Sequence, residues 1–276
     1  MAWLILASSL ATLTTHRLVS LLLLLISVIT AAITGVISWP ALLLLTFIAA
    51  TAFIRIRYHD KLFLKITCEI VLVICAIGLF IHIFPGFNNL KYLNKAIVGE
   101  QSAPFTMYFN FDKALVPFVL LACLPTLFIS SPAKTASSLQ WCLLFLSVPV
   151  LLIIATLAGG LGFELHLPTW LPAFILCNLL FVSLAEEALF RGYLQQRLNQ
   201  WLGSPYLALI LTALLFGGLH FAGGPLLILF ATLAGLIYGL AWMWSGKLWL
   251  AVSIHFGLNL SHLLFFTYPV KMVVGQ

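Results

Sequence analysis

LPAFILCNLLFVSLAEEALFR, residues 171–191, is the stretch of sequence that decides the fold. It begins an apolar run, residues 171–201, that is long enough to cross a bilayer, because about 20 apolar residues in a helix span the hydrocarbon core. The stretch nevertheless carries two adjacent carboxylates, Glu186 and Glu187, and Arg191 lies four residues beyond the second. Because a charge in or near hydrocarbon is costly unless it is paired or solvated, we expect this cluster to have a function.

The whole chain has the composition of a membrane protein. Hydrophobic residues make up 63% of its 276 residues and charged residues only 7%, whereas a soluble globular domain carries about 25% charged residues. Together with a mean hydropathy of +1.16, this predicts an all-α, polytopic membrane helix bundle with about eight or nine transmembrane helices. The expected spans are residues 18–38, 40–54, 62–84, 114–129, 141–158, 171–201, 205–221, 226–244 and 248–266.

The basic residues indicate the topology. The thirteen Lys and Arg are scattered over loops instead of forming a patch, so we expect no nucleic-acid partner. With the amino terminus inside, nine of them lie on or near the cytoplasmic side, as the positive-inside rule requires. We therefore expect an integral protein of the bacterial inner membrane with a cytoplasmic amino terminus, in which residues 1–15 are retained because no positive residue precedes them. The four basic residues expected outside are Lys91, Lys95, Lys113 and Lys271.

The chain divides coarsely into two parts. Residues 1–140 are predicted to be amino-terminal transmembrane helices of unknown role, and residues 141–276 carry nearly every intramembrane polar residue, within a four-helix unit at 171–266. The longest polar stretch, residues 85–113, is expected to be an external surface loop. Its segment 108–113, which combines aromatic residues with the Asp112-Lys113 pair, is interpreted as an interfacial anchor, with a functional role as the alternative.

Polar side chains of the four-helix unit recur at a spacing of four residues. In an α-helix, residues four apart lie one turn apart on the same face, so each helix is expected to have one polar face. Three pairs of residues have this spacing: Glu187 with Arg191, Phe216 with His220, and His255 with Asn259.

The depths of these residues can be counted from the helical rise of 1.5 Å per residue. A turn is predicted at 203–205, Gly-Ser-Pro, because Gly ends helices and Pro begins them. Glu187 precedes this turn and His220 follows it by nearly the same number of residues, so both lie about 25 Å from it. His255 and Asn259, counted from a second turn at 245–247, reach the same depth if the first hairpin projects about 10 Å further into the cytoplasm. One site could then gather these groups, although the sequence does not fix which helices are neighbours.

Glu-Glu-x-x-x-Arg, Phe-x-x-x-His and His-x-x-x-Asn, in this order on successive hydrophobic helices, resemble the motif set of the CPBP family. This family comprises CAAX proteases and bacteriocin-processing enzymes and includes the type II CAAX prenyl endopeptidases. The resemblance covers about residues 140–266. It implies an intramembrane endopeptidase whose partners are the lipid bilayer and a membrane-associated or lipid-modified polypeptide substrate.

The resemblance also implies a role for each motif residue. Glu186, matching the first Glu, would act as general base on water, and His220 would orient that water or share its proton. His255 and Asn259 would donate hydrogen bonds to the oxyanion of the tetrahedral intermediate.

Glu187 and Arg191 are expected to form a supporting ion pair, because two neighbouring buried carboxylates cannot both stay ionised without a cation. We predict no cofactor, since the sequence has no His-Glu-x-x-His motif and Asn is a poor zinc ligand. The alternative mechanism is a metal-dependent peptidase that uses the same residues as ligands of a divalent metal such as zinc.

Two other classes of function compete with an enzyme. A proton-coupled transporter also places Glu, His and Arg inside the membrane, but it predicts broken helices in symmetric repeats, which this sequence lacks. A non-enzymatic membrane partner that has kept the fold is the third class.

Overall fold

Helices dominate the computed structural model, which describes residues 1–272. The first seven are α1 (Ala2–Thr12), α2 (Arg17–Ile33), α3 (Trp39–Arg57), α4 (Leu62–Phe80), α5 (Phe111–Ala114), α6 (Val116–Cys123) and α7 (Ser138–Leu157). One helical run, Leu171–Leu202, is called the long helix. It contains α8 (Leu171–Leu176), α9 (Leu184–Glu187) and α10 (Gln196–Leu202), joined by two π-helical segments, Cys177–Ser183 and Ala188–Gln195. The last three helices are α11 (Pro205–Gly218), α12 (Gly224–Ser245) and α13 (Leu248–Phe265).

The prediction of an all-α membrane bundle is confirmed. Within residues 1–272, six helices are long and apolar enough to cross a membrane, fewer than the eight or nine that the hydropathy predicts. They are α3, α4, α7, the long helix, α12 with the turn that precedes it, and α13. Three further apolar helices, α1, α2 and α11, are shorter.

The predicted crossing at residues 114–129 is wrong. The helix there, α6, has eight residues, or about 12 Å of length against a hydrocarbon core of about 30 Å. It ends because Pro125 follows Leu124, which has an extended backbone with φ −140° and ψ 102°, and a residue before proline avoids the helical region. The apolar character of α6 reflects burial inside the protein, where Val116 and Leu120 are fully buried.

The predicted external loop at 85–113 is partly a sheet. Its strands β1 (Leu90–Ala96) and β2 (Phe105–Phe109) pair with each other. Alternation of apolar and polar residues is the sequence signal that identifies a half-buried strand. The residues of β1 do not alternate in this way, so the sequence does not predict this strand.

Contacts divide the chain into two compact units. Unit 1 comprises Met1–Tyr92, Tyr108–Phe128 and Leu180–Leu189, and unit 2 comprises Leu93–Met107, Ile129–Leu179 and Phe190–Gln276. The predicted functional division at residue 140 is not decided by these contacts and stays a prediction.

Side-chain hydrogen bonds join the helices of unit 1. Ser9 of α1 and Ser20 of α2 each donate to the other's carbonyl oxygen, at 2.6 and 2.7 Å. Arg55 of α3 forms an ion pair with Glu69 of α4 at 2.7 Å and donates at 2.7 Å to the carbonyl oxygen of Ala122 in α6. Small and polar residues stabilise helix contacts in membranes in this way, because hydrocarbon offers polar groups no other partner.

In unit 2, α11 and α12 approach each other closely at a glycine. A Cβ atom at Gly217 would lie 2.7 Å from the carbonyl oxygen of Ile228 and would overlap Thr232. The absence of a side chain at Gly217 therefore allows the close contact of α11 and α12. The neighbouring Gly218 faces open space, with nothing within 4 Å of such a Cβ, so a side chain there would not disturb the contact.

Replacement of Gly217 by alanine is expected to lower the free energy of unfolding by about 1–3 kcal/mol, because the added methyl group overpacks the α11–α12 contact. Thermal unfolding of the purified protein in detergent measures this. Gly218→Ala is the matched control and should leave the melting temperature unchanged or raise it, since alanine is the better helix former by about 1 kcal/mol. Equal effects of the two substitutions would contradict the packing argument.

Glu164 fastens the loop between β1 and β2 to the rest of unit 2. Its carboxylate accepts hydrogen bonds from the Gln101 backbone N–H at 2.9 Å and the Ser102 hydroxyl at 2.6 Å, and it lies 3.0 Å from Nε2 of His166. Burial acts to raise the pKa of Glu164, but these hydrogen bonds outweigh it and the pKa is lowered. The folded state therefore favours the ionised carboxylate.

A lowered pKa makes the Glu164 contribution to stability depend on pH in a defined direction. The contribution is fully present above about pH 4.3, the ordinary pKa of Glu, and is lost as pH falls through the lower pKa of the folded state. We expect wild type to unfold at a higher temperature than Glu164→Gln near neutral pH, and the difference to shrink below pH 4. A difference independent of pH would show that Glu164 acts only through packing.

Candidate active site

The acidic pair lies on α9, a short α-helical stretch between the two π-helical segments of the long helix. A π-helix closes its hydrogen bonds over five residues instead of four and occurs mostly at functional sites. Arg191 lies within the second π-helical segment, so the spacing of four from Glu187 no longer places it one α-helical turn away. The π-helical winding does not decide whether Glu187 and Arg191 form an ion pair, and this pair stays a prediction.

Glu186 is paired with Lys113 in unit 1. The Lys113 ammonium nitrogen lies 2.7 Å from Oε1 of Glu186, and the two side chains are only 13% and 11% exposed. The same nitrogen lies 4.5 Å from the centre of the Phe80 ring. The interpretation of Lys113 as an interfacial anchor is therefore wrong, because an anchor keeps its charge among the lipid headgroups. The neighbouring Glu187 is fully buried as well.

A network of hydrogen bonds fixes the residues around Lys113. The Asp112 carboxylate lies 2.8 Å from Nδ1 of His82 and accepts hydrogen bonds from the Asn89 amide at 3.0 Å and the Lys113 backbone N–H at 2.8 Å. Asn89 in turn accepts from the Phe111 backbone N–H at 2.8 Å. The start of α5, which carries Lys113, is thus held by two residues of the preceding chain, His82 and Asn89.

Arg191 is fully buried in unit 2. Its guanidinium carbon lies 4.5 Å from the centre of the Phe216 ring and 5.3 Å from that of Tyr238. Nη2 donates at 3.0 Å to the carbonyl oxygen of Gly235, and a Cβ atom at this glycine would lie 3.3 Å from the same nitrogen. Ring faces and a backbone carbonyl therefore stabilise the charge.

The two motif histidines contact the same phenylalanine. The His220 ring lies 4.9 Å and the His255 ring 5.9 Å from the Phe216 ring, between centroids. His255 is buried and stacks on Tyr238 at 4.5 Å. Phe216 thus contacts Arg191 and both histidines.

The position of His220 determines which tautomer its neutral ring adopts. Nδ1 lies 2.8 Å from the carbonyl oxygen of Phe216, which can only accept, so Nδ1 carries the proton and Nε2 is the acceptor in the neutral ring. The helix predicted at 205–221 ends earlier, at Gly218, and His220 lies in the turn that follows.

Asn259 pairs with an asparagine that the motifs do not include. Its Nδ2 donates at 3.1 Å to Oδ1 of Asn178, which lies in the first π-helical segment. An amide inside an apolar run was the sequence signal for Asn178, because polar residues within membrane helices tend to be functional.

The structure therefore describes two groups of predicted site residues, one in each unit. Glu186 and Glu187 belong to unit 1, and Arg191, His220, His255 and Asn259 belong to unit 2. Their convergence on a single site stays a prediction. Among residues 1–272, no group of three His, Cys, Asp or Glu side chains is placed to hold a metal ion, and the choice between metal-free and metal-dependent chemistry stays a prediction too.

These features define a helical integral membrane protein with buried ionisable and amide side chains in its membrane helices. Residues 168–261 match the family model described as Type II CAAX prenyl endopeptidase Rce1-like, which confirms the resemblance for this segment. All seven residues that the three motifs specify lie within the matched range.

A curated relative is consistent with this family. The chain is 30% identical over 124 residues to the uncharacterized protein YpbD of Bacillus subtilis (strain 168), an alignment that covers 40% of this chain and 60% of YpbD. The chain thus spans about 60% of the length of the relative it matches. No solved structure matches the chain significantly.

Replacement of Arg191 by lysine is expected to destabilise the protein by about 1–2 kcal/mol, because an ammonium group cannot lie flat between two aromatic rings and reach a carbonyl oxygen as well. Arg57→Lys is the control, since Arg57 is exposed and its guanidinium carbon lies 5.6 Å from the centre of the Tyr58 ring. Thermal unfolding should separate the two variants. If both behave alike, the aromatic surroundings of Arg191 contribute nothing to stability.

Proposed function

We propose that this protein is an intramembrane endopeptidase that hydrolyses a peptide bond in a membrane-associated substrate. The observation that carries the proposal is the match of residues 168–261 to a family of prenyl endopeptidases. The burial of Glu186 and the orientation of the His220 ring support it, since peptide hydrolysis needs a carboxylate base and a group that orients water.

In the proposed reaction, Glu186 takes a proton from water as the water oxygen attacks the scissile carbonyl carbon. His220 orients this water by accepting a hydrogen bond from its second O–H at Nε2, and that hydrogen stays on the water oxygen. The tetrahedral intermediate then collapses, the C–N bond breaks, and protonated Glu186 returns its proton to the leaving amine. The products are a carboxylic acid and an amine, and the enzyme is restored.

His255 and Asn259 are proposed to stabilise the oxyanion of the intermediate. An asparagine amide carries two N–H donors, one of which Asn259 gives to Asn178. The hydrogen bond to Asn178 therefore orients the second donor. Each donor of this kind contributes about 3 kcal/mol to the transition state.

We propose further that the mechanism is metal-free. The ammonium group of Lys113 already balances the charge of Glu186 at 2.7 Å, and the amide of Asn259 is engaged with another amide. Both observations fit a carboxylate base better than a metal ligand set, for which Asn is a poor donor.

The proposed setting is a bacterial inner membrane with the amino terminus in the cytoplasm. Three of the basic residues used for this topology, Arg55, Lys113 and Arg191, are largely or fully buried by contacts within the protein. The sides assigned to basic residues after position 129 depended on the crossing at 114–129, so the proposal rests on the residues before it. There, in the predicted topology, Arg17, Arg57, Lys61 and Lys65 lie inside and Lys91 and Lys95 outside, which keeps the direction of the positive-inside preference.

Glu186→Gln is expected to reduce proteolysis at least about 100-fold, because a general base contributes 10²–10⁴ to the rate. The measurement is a comparison of membrane-protein termini in cells that make wild type, Glu186→Gln or no enzyme. Termini that require wild type should be missing from the other two.

The control is Glu100→Gln, which removes an exposed carboxylate and should leave the termini unchanged. Cleavage that persists in full with Glu186→Gln would sink the mechanism. Vesicles treated with a chelator decide the metal question, since the proposed mechanism predicts unchanged cleavage and a metal-dependent one predicts its loss.

A further inference from the structure

Lys113 lies outside the segment that matches the peptidase family. It belongs to α5, in the amino-terminal part of the chain, 73 residues before Glu186, and the family match begins only at residue 168. Its ammonium group nevertheless contacts the carboxylate to which the base role is assigned. The amino-terminal part thus contributes a side chain to the surroundings of Glu186.

The Lys113 side chain keeps its charge inside the protein, which is unusual for a lysine. Such a side chain normally extends along the apolar surface and keeps its charge in water or among headgroups. Here the nitrogen lies beside the Phe80 ring and the Glu186 carboxylate, and the side chain is largely buried. The contacts of the ammonium group with the Glu186 carboxylate and the Phe80 ring compensate for the hydration that it loses.

The backbone around Lys113 is held by a second set of polar contacts. Asp112 engages His82 and Asn89, and His82 has a left-handed backbone with φ 61°. A residue other than glycine in this conformation is strained and persists only where its surroundings enforce it. Strain and hydrogen bonding at one place indicate that the position of Lys113 is determined by the fold.

Stability alone is a weak reason to keep such a pair. A buried ion pair can often be replaced by apolar residues without loss of stability, because the desolvation of both charges offsets their attraction. A role in positioning the carboxylate accounts for the pair better.

We propose that Lys113 is a positioning residue of the active site, an inference that rests on the endopeptidase function proposed above. Lys113 holds the Glu186 carboxylate in the orientation that this carboxylate needs to take a proton from water. The pair restricts the rotamers of Glu186 and keeps its negative charge balanced in apolar surroundings. Lys113 itself does not touch the substrate.

The first test asks whether the pair exists in the folded protein. Lys113→Met should lower the melting temperature because it leaves a buried carboxylate without its cation. Adding Glu186→Gln to Lys113→Met should restore part of the loss. If the two substitutions add independently, the ion pair is absent and the inference fails.

The second test asks what the pair does. The probe is a membrane protein whose terminus is missing in Glu186→Gln cells, reconstituted in vesicles with each enzyme variant. Lys113→Met should lower kcat about 100-fold with KM changed less than threefold, since misplacement of a reacting group by about 1 Å has this effect. Lys113→Arg, which keeps the cation, should recover at least a tenth of the wild-type kcat. Lys91→Met removes an exposed lysine of β1 and should behave as wild type.

The outcomes separate the two proposals. Full activity of Lys113→Met, or equal loss in Lys113→Met and Lys113→Arg, overturns the positioning role while the endopeptidase proposal stands. If no terminus depends on Glu186 at all, the endopeptidase proposal fails, and the positioning role fails with it whatever the melting temperatures show.

Discussion

An ionised side chain inside a bilayer must find its counter-charge or its dipoles within the protein, because hydrocarbon supplies neither. The chain meets this constraint by three different means. Arg55 is balanced by Glu69 and by backbone carbonyls, Glu186 by the ammonium of Lys113, and Arg191 by aromatic faces and the Gly235 carbonyl. In each case the partner comes from another segment of the chain. The buried charges therefore dictate which segments must lie together, in unit 1 for the first two and in unit 2 for the third.

The same constraint explains the use of small residues in unit 2. The Arg191 guanidinium reaches the Gly235 carbonyl only because no side chain stands in its way, and α11 approaches α12 closely at Gly217. The Phe216 ring can then contact Arg191 together with both histidines. A larger residue at Gly235 would press against the Arg191 guanidinium, and one at Gly217 would overlap Thr232. Glycines thus permit both the close helix packing and the burial of the Arg191 side chain in unit 2.

Much of this arrangement could be predicted from the sequence, and the failures have physical reasons. Apolar runs ended by glycine or proline predict the long helices and the turn at Gly203, whose φ of 65° only glycine adopts readily. Hydropathy cannot, however, distinguish a helix buried in protein from one in lipid, and the crossing predicted at residues 114–129 is wrong for that reason.

Two features of the candidate site could not be predicted from the local amino-acid sequence. The π-helical segments on either side of α9 occur where the sequence pattern gives no sign of a change in winding. The contact between Lys113 and Glu186 joins residues 73 apart, and no periodicity reaches that far. Asn178 is different, because an amide in an apolar run is visible in the sequence even though its partner Asn259 is not.

The early end of α11 shows how a small difference in helix length changes chemistry. Had the helix continued to 221, as the apolar run predicts, the backbone N–H of His220 would have bonded to the carbonyl of Phe216, four residues back. The chain instead tightens, and that N–H bonds to the carbonyl of Gly217 at 2.9 Å. The Phe216 carbonyl is then left to accept from the His220 ring, as the carbonyls at a helix end commonly accept from side chains. Because this contact places the proton on Nδ1, the termination of the helix determines that Nε2 is the ring nitrogen able to accept a hydrogen bond from water.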